Sequence, residues 1–264
     1  MQNASLLRDH ELPINALVVG ATGGIGFALS AQLAANAQVA RLFVVARAAT
    51  KNASLADLIA QSGERVVAID CDIRDEAALA NMAAAITAAV PALHLIINTA
   101  GMLHDSSSEN DVRPEKSLMQ ITAAGLQASF AINAFGPILL AKALLPLLRH
   151  AAPVVFASLS ARVGSISDNR AGGWYSYRAA KAAQNQLLKT LAIELARLNR
   201  QSIVLALHPG TTDSSLSKPF QANVRAEKLF TPAFAAASLL QVIAARLPAD
   251  SGNFYAWDGQ PIGW

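Results

Sequence analysis

The sequence predicts a single α/β domain built on a doubly wound, mainly parallel sheet with helices on both faces. Three observations carry this expectation. Near-continuous apolar, β-rich runs alternate with longer alanine- and leucine-rich runs along most of the chain, as expected of strands covered on both faces and joined by crossover helices. A glycine cluster falls where the first strand must turn into the first helix. The chain has 264 residues, 53% of them hydrophobic and 15% charged, enough apolar material for one large core.

The elements follow in order. INALVVG (14–20) is the first strand, and a helix runs from Gly24 to about Asn36. ARLFVVAR (40–47) and RVVAID (65–70) are the second and third strands. Residues 75–90 have helical composition, with Asp75 suited to cap the free N–H groups. HLIINTAG (94–101), APVVFASLS (152–160) and SIVLALHPG (202–210) are the fourth, fifth and sixth strands. The most apolar stretch, 131–148, contains Asn133, Gly136, Pro137, Lys142 and Pro146, and reads as a buried helix, not a membrane span. Two segments break the rhythm. Residues 102–117 are polar and irregular, either a plain surface connection or part of a ligand edge. Residues 213–230 follow the sixth strand and suit a substrate-side lid, because ligands of such sheets sit beyond the carboxyl ends of the strands.

Composition narrows the class. Twenty-one Lys+Arg against 18 Asp+Glu leave a net +3, too small for a strong field toward nucleic acid or a membrane surface. No basic run is interleaved with aromatics, so no nucleic-acid partner is expected. Cys71 is the single cysteine, which excludes an intrachain disulfide and a cysteine zinc cluster. The five histidines have no paired ligand spacing, and no metal is expected. The first residues lack a cationic start followed by an apolar run. The expectation is a cytoplasmic protein with no membrane partner, one domain over 1–264, and a short N-terminal extension over 1–12.

Gly20, Ala21, Thr22, Gly23, Gly24, Ile25 and Gly26 form the glycine turn. Glycines turn the backbone tightly and let it approach a pyrophosphate, while the helix start offers free N–H groups and partial positive charge. Glycine also serves plain sterics in such turns, but after the first strand of an α/β chain it favours a dinucleotide site. A site for NAD expects an acid at the end of the second strand. Here that stretch reads Val44-Val45-Ala46-Arg47, and a guanidinium suits a 2′-phosphate where a carboxylate would repel it. NADP(H) is therefore expected over NAD(H), the alternative being that Arg47 is merely a solvated strand end. Asp72 and Ile73, after the third strand, are candidates to bracket an adenine.

Tyr177 and Lys181 lie four apart at the start of a long helical segment, so phenol and ammonium share one face. A nearby cation favours phenolate, giving a group able to exchange a proton near neutral pH. Most such pairs are helix decoration. Here the pair stands in series with the glycine turn, N-T-A-G (98–101), N-A-F-G-P (133–137) and H-P-G (208–210). In this order and spacing the set resembles the classical short-chain dehydrogenase/reductase family across nearly the whole chain. The run from Ser160 to Lys181 and the ending G-N-F-Y-A-W-D-G-Q-P-I-G-W are similar to its C-factor-like branch.

The resemblance implies a Rossmann-type fold and hydride exchange between a nicotinamide and an aldehyde or ketone, or its alcohol. It implies that Tyr177 protonates the substrate oxygen and that Lys181 lowers the phenol pKa and binds the nicotinamide ribose. It gives Asn133 a water-linked proton path to that lysine. Asn98, Ala100 and Gly101 support the sheet and cofactor edge, and Pro209, Gly210 and Thr212 fall where the family's loop touches the nicotinamide. A homodimer or homotetramer is expected by the same analogy.

One position departs. The family's substrate-orienting serine stands three residues before a glycine, and here Ala161 occupies that place before Gly164. Ser160 is adjacent, but its side chain faces the other way along an extended chain unless the strand end bends; it is retained as a candidate. The alternatives are a slow enzyme, a locally rearranged one, a cofactor-binding signalling or sensing protein with lost chemistry, or an interaction protein. His208 is expected simply to end the sixth strand, and His104 lies near the site's mouth. Trp174 and Tyr175 either line a pocket or pack beneath the helix. Phe220, Leu229, Phe230 and Phe234, in and beside the lid, suggest an apolar substrate.

Overall fold

The computed structural model describes residues 5–8, 10–105 and 112–264. Among the described residues nine strands form: β1 (Ile14–Val19), β2 (Val39–Ala46), β3 (Val66–Asp70), β4 (Leu95–Asn98), β5 (Val154–Leu159), β6 (Ser202–His208), β7 (Thr211–Thr212), β8 (Leu229–Phe230) and β9 (Asn253–Ala256). The helices are α1 (Gly24–Ala35), α2 (Ala53–Ser62), α3 (Glu76–Ala89), α4 (Ala123–Phe130), α5 (Gly136–Leu148), α6 (Tyr175–Leu198) and α7 (Pro232–Ala244). Seven strands pair in the order β3-β2-β1-β4-β5-β6-β9, all parallel. The doubly wound α/β expectation holds, and the six strands expected from sequence are β1 to β6. The strands β7, β8 and β9 and the helices α2, α4 and α7 were not anticipated.

Burial on both faces explains the apolar strands. Ala16 and Val18 of β1 enter a core with Leu29 and Leu33 of α1, Leu55 of α2 and Leu239 of α7. Leu17 and Val19 enter the opposite core with Met82 of α3, Leu144 of α5 and Leu191 of α6. A strand alternates its side chains between faces, so one apolar run serves both layers. Asp75 caps α3 as expected, its carboxylate accepting from the N–H groups of Ala77 and Ala78 at 2.8 and 3.2 Å. Of the segment 1–12, residues 1–4 and 9 lie outside the described residues; Leu6 and Leu7 are buried in the α1-side core, and Gln38 ties Leu6 N–H and the His10 carbonyl to the start of β2.

The apolar stretch 123–148 is helical but interrupted. A π turn at Ala131–Phe135 separates α4 from α5 and lodges Asn133 in the core. By length and composition alone, Ala123–Leu148 is long enough and apolar enough to cross a membrane, and half of its most apolar window is buried within this fold.

The strand order reverses between β1 and β4. In open α/β sheets the carboxyl edge at such a reversal leaves a crevice where ligands bind. Both the glycine turn, after β1, and the Asn98–Gly101 turn, after β4, lie there.

Candidate active site

The glycine turn is set by close approach. Gly20 is left-handed (φ +81°), and a Cβ there would meet Thr99 Oγ1 at 2.5 Å and Ala100 N at 2.8 Å. Gly26 packs equally close, with Thr99 Oγ1 at 2.7 Å and the Gly20 carbonyl carbon at 2.8 Å from its Cβ position. Gly23 starts α1 without a capping side chain, so the first N–H groups of the helix stay available to a ligand. Gly23, Gly24, Ile25 and Gly26 line a cleft of about 430 Å³. Ala100, Gly101, Tyr177, Lys181, Pro209, Gly210 and Thr212 line the same cleft. Gly20, Thr22, Arg47, Asp72, Ile73, Asn98 and Asn133 do not line it.

Several of those residues do structural work. Asn98 is fully buried, its amide donating to Ser158 Oγ at 2.9 Å and its oxygen accepting from Ala100 N–H, which shapes the end of β4. Asn133 grips the backbone of Met102, accepting from its N–H at 3.0 Å and donating to its carbonyl at 2.7 Å. A Cβ on Gly101 would stand 3.2 Å from Asn133 Oδ1 and 3.7 Å from Lys181 Nζ, so this glycine keeps the space between the two groups open. The Asp72 carboxylate is held by Arg74, with Nη2 to Oδ2 at 2.6 Å. Ile73 is buried against Gly136, so its side chain belongs to the core. Arg47 is exposed and makes no ion pair or hydrogen bond among the described residues, though its charge helps hold Asp72 ionised.

Tyr177 and Lys181 face one another on α6, Nζ lying 5.7 Å from the phenol ring centre. Both are buried, at 8% and 3% exposure. Nζ donates to the Leu159 carbonyl at 2.8 Å and to Gln184 Oε1 at 2.9 Å. Gln184 in turn donates to Ser158 Oγ at 2.7 Å, completing a polar chain from Asn98 through Ser158 and Gln184 to the ammonium. Sequence reading missed Gln184 and Ser158; the signal for Gln184 was its i+3 spacing from Lys181.

Burial decides the protonation states. It lowers Lys181 to a pKa of about 7, because the charged ammonium loses its water. It raises Tyr177 above the ordinary phenol value, so in the ligand-free site burial outweighs the pull of the nearby lysine toward phenolate. A near-neutral lysine offers too little field to offset desolvation of a phenolate. Below pH 7 both folded and unfolded chains hold the Lys181 proton. Between about 7 and 10.5 only the unfolded chain does, so stability of the ligand-free protein should rise with pH across that window. Thermal unfolding at pH 7 and pH 9 checks this. Lys181→Met should lose the rise, and an undiminished slope in the variant would assign it to other groups.

Ser160 lines the cleft beside Ala161. It is buried, and its hydroxyl donates to Asn185 Oδ1 at 2.7 Å on α6, so in the ligand-free site its one proton is already engaged. Ala161 itself is extended (φ −144°, ψ 144°) and lines the cleft.

Trp174 lines the cleft. Gly172, Gly173 and Trp174 are consecutively left-handed, at φ 65°, 65° and 53°. Left-handed backbone costs a non-glycine residue about 1–2 kcal/mol, so something must hold Trp174 there. Glu115 does: its carbonyl accepts from Trp174 N–H at 2.5 Å, and its buried carboxylate accepts from the N–H and hydroxyl of Ser176. The carboxylate thereby caps α6 from 61 residues away. Tyr175, by contrast, is 40% exposed.

β7, just before the lid, and β8, at its end, pair in parallel. Ser214, Leu216, Ser217, Phe220 and Val224 line the cleft from this side. Phe220 sits between two rings, 6.0 Å from His104 and 5.1 Å from Trp174, centre to centre. His104 also contacts the Ser215 carbonyl at 3.2 Å. Of the four apolar residues expected to favour an apolar substrate, only Phe220 lines the cleft. Phe230 and Phe234 pack with Trp257 beneath the lid, because Gly210 leaves room for the Phe230 ring. His208 ends β6 but also lines the cleft, and burial lowers it to a pKa of about 4. His10, His94 and His150 gather elsewhere, with ring centres 5.7 and 5.2 Å apart along the series. Among the described residues no group of His, Cys, Asp or Glu is arranged to hold a metal ion.

A parallel sheet reversing at a glycine turn, with Tyr177 and Lys181 in the crevice, defines a dinucleotide-dependent dehydrogenase type of site. Residues 15–225 match the short chain dehydrogenase family model, and the chain belongs to that family of oxidoreductases. It is 36% identical over 139 residues to 1-hydroxy-2-glutathionyl-2-methyl-3-butene dehydrogenase of Rhodococcus sp., a match spanning 53% of this chain and 58% of that protein. It is 30% identical over 147 residues to C-signal of Myxococcus xanthus, spanning 56% of this chain and 83% of that protein. The fold superposes on the NADPH-bound carbonyl reductase from chicken fatty liver with a TM-score of 0.81 at 24% identity, covering 96% of this chain and 100% of that one. Carbonyl reductase Sniffer of D. melanogaster gives 0.83 at 23% identity with the same coverage.

Proposed function

We propose that this protein reduces an apolar aldehyde or ketone to the alcohol, using NADPH. The observation that carries the reading is that Tyr177 and Lys181, one turn apart on α6, line the same cleft as the glycine turn. The cofactor fits the residues present: glycines whose Cβ atoms would fill the approach, an uncapped start of α1, and no acid at the end of β2. Gly23 to Gly26 would hold the pyrophosphate, Ala100 and Gly101 the nicotinamide half, and Pro209, Gly210 and Thr212 its far edge. Arg47 would meet the 2′-phosphate. The NADPH-bound carbonyl reductase of the same fold supports this choice.

When bound, the reduced nicotinamide supplies the hydride. Tyr177, which burial keeps protonated, delivers its proton to the carbonyl oxygen, the state that reduction needs at rest. The phenolate left behind regains a proton from Lys181, whose ammonium faces it and releases a proton readily at a pKa of about 7. Leu103, Val163 and Trp174 with the lid's Phe220 and Val224 give the remainder of the cleft an apolar wall, beside the lid's Ser214, Ser215 and Ser217.

The test is NADPH and NADH consumption over a panel of aldehydes and ketones. Arg47→Asp should lower the preference for NADPH over NADH about tenfold, roughly 1.4 kcal/mol. An unchanged ratio would leave Arg47 a solvated strand end. Ala161 favours a second reading, a cofactor-binding module with little turnover; tight NADPH binding without turnover on the panel would support it.

A further inference from the structure

We propose that the indole N–H of Trp174 donates the hydrogen bond to the substrate oxygen that a serine at position 161 would otherwise donate. The inference rests on the reductase reading above. A carbonyl being reduced gains negative charge on oxygen, and beside the proton donor it needs a second, fixed donor. Ala161 has none, and the Ser160 proton is committed to Asn185. On the lid, Ser217 donates to the Thr212 carbonyl and pairs with Ser214. Arg162 is paired with Asp168 at 3.2 Å. Trp174 differs from all of these. It lines the cleft, its ring stands edge-to-face with the Tyr177 ring at 6.4 Å between centres, and its indole N–H has no hydrogen bond to any described residue.

Two features mark the placement as built. Trp174 is the one non-glycine with positive φ among the described residues, and strained backbone persists only where its surroundings over-determine it. Glu115 supplies that constraint through the Trp174 N–H and the start of α6, the helix that also carries Tyr177. The indole is a donor only, so it serves an acceptor oxygen and cannot divert the proton that Tyr177 delivers.

The experiment compares Trp174→Phe, Ala161→Ser and the double variant by steady-state NADPH consumption, with NADPH affinity read separately from fluorescence. Phenylalanine keeps an aromatic ring and the same backbone strain while removing the N–H. The single variant should lose about 10²-fold in kcat with NADPH affinity within threefold of wild type, and Ala161→Ser should restore at least tenfold in that background. A purely structural role for the indole would not be rescued by a hydroxyl on the neighbouring wall. Two outcomes overturn the proposal: kcat of Trp174→Phe within threefold of wild type, or loss without rescue. If wild type binds NADPH but turns over no carbonyl while Ala161→Ser does, the reductase reading fails together with this one.

Discussion

Tyr177→Phe should lower carbonyl reduction by about 10³-fold, within the range that a positioned acid contributes, and leave the fold untouched. The phenol oxygen makes no hydrogen bond within the described chain. Its ring packs against Trp174 and under Lys181 Nζ, and phenylalanine keeps both contacts. Nothing buried is left unpaired, so stability should stay within about 0.5 kcal/mol. The pairing of a large kinetic loss with no thermal shift distinguishes a group held for chemistry from one held for packing. Rates of NADPH consumption together with Tm measure the two sides. Retention of more than a tenth of wild-type activity would mean that another group delivers the proton, and the acid would have to be sought among the remaining cleft residues.

Much of the fold was legible because it depends on local pattern. β1 to β6 are buried on both faces, which leaves an apolar run in the sequence for each. β9 left a weaker trace: it is four residues long and sits at the sheet edge beside β6. α2 was missed for a related reason, since Leu55 is its one fully buried residue and only Leu58 and Ile59 otherwise pack against the core. The π turn around Asn133 was invisible, as one residue of extra winding changes no periodicity within so short a run.

The site divides along the same line. The glycine turn, Tyr177 and Lys181 come from motifs in which neighbours in sequence are neighbours in space. Glu115 capping α6, the Ser158–Gln184 link to Lys181 and the seating of Phe220 on Trp174 join residues 26 to 61 positions apart, and no spacing rule reaches them. Burial also reversed the sign at Tyr177, because a sequence reports that a cation is near but not that water is absent. The engagement of Ser160 with Asn185, 25 positions away, left no sequence signal either.

Gly26→Ala should damage both stability and cofactor binding, and Gly23→Ala tests whether the damage comes from crowding. At Gly26 the added methyl would meet Thr99 Oγ1 at 2.7 Å and the backbone of Gly20 at 2.8 Å. Thr99 cannot swing aside freely, since its hydroxyl donates to the Val19 carbonyl at 2.7 Å. Either α1 slides away from β1 or the Gly20–Gly23 turn opens, and each displaces the helix N–H groups that face the cleft. Overpacking of this kind costs about 1–3 kcal/mol, which lowers Tm by roughly 2–12 °C in a chain of this size. NADPH affinity should fall about 10²-fold, because the phosphate-facing backbone moves. At Gly23 the residue is already extended (φ −79°, ψ 159°), and the methyl would meet only the Gly20 carbonyl oxygen at 3.3 Å. Gly23→Ala should therefore keep Tm within about 2 °C, whatever its effect on the cofactor. Differential scanning calorimetry of the ligand-free variants separates the cases. Equal Tm for Gly26→Ala and wild type, with NADPH affinity preserved, would show that the crossing of α1 over the turn has slack, and that glycine at 26 answers to some need other than close approach.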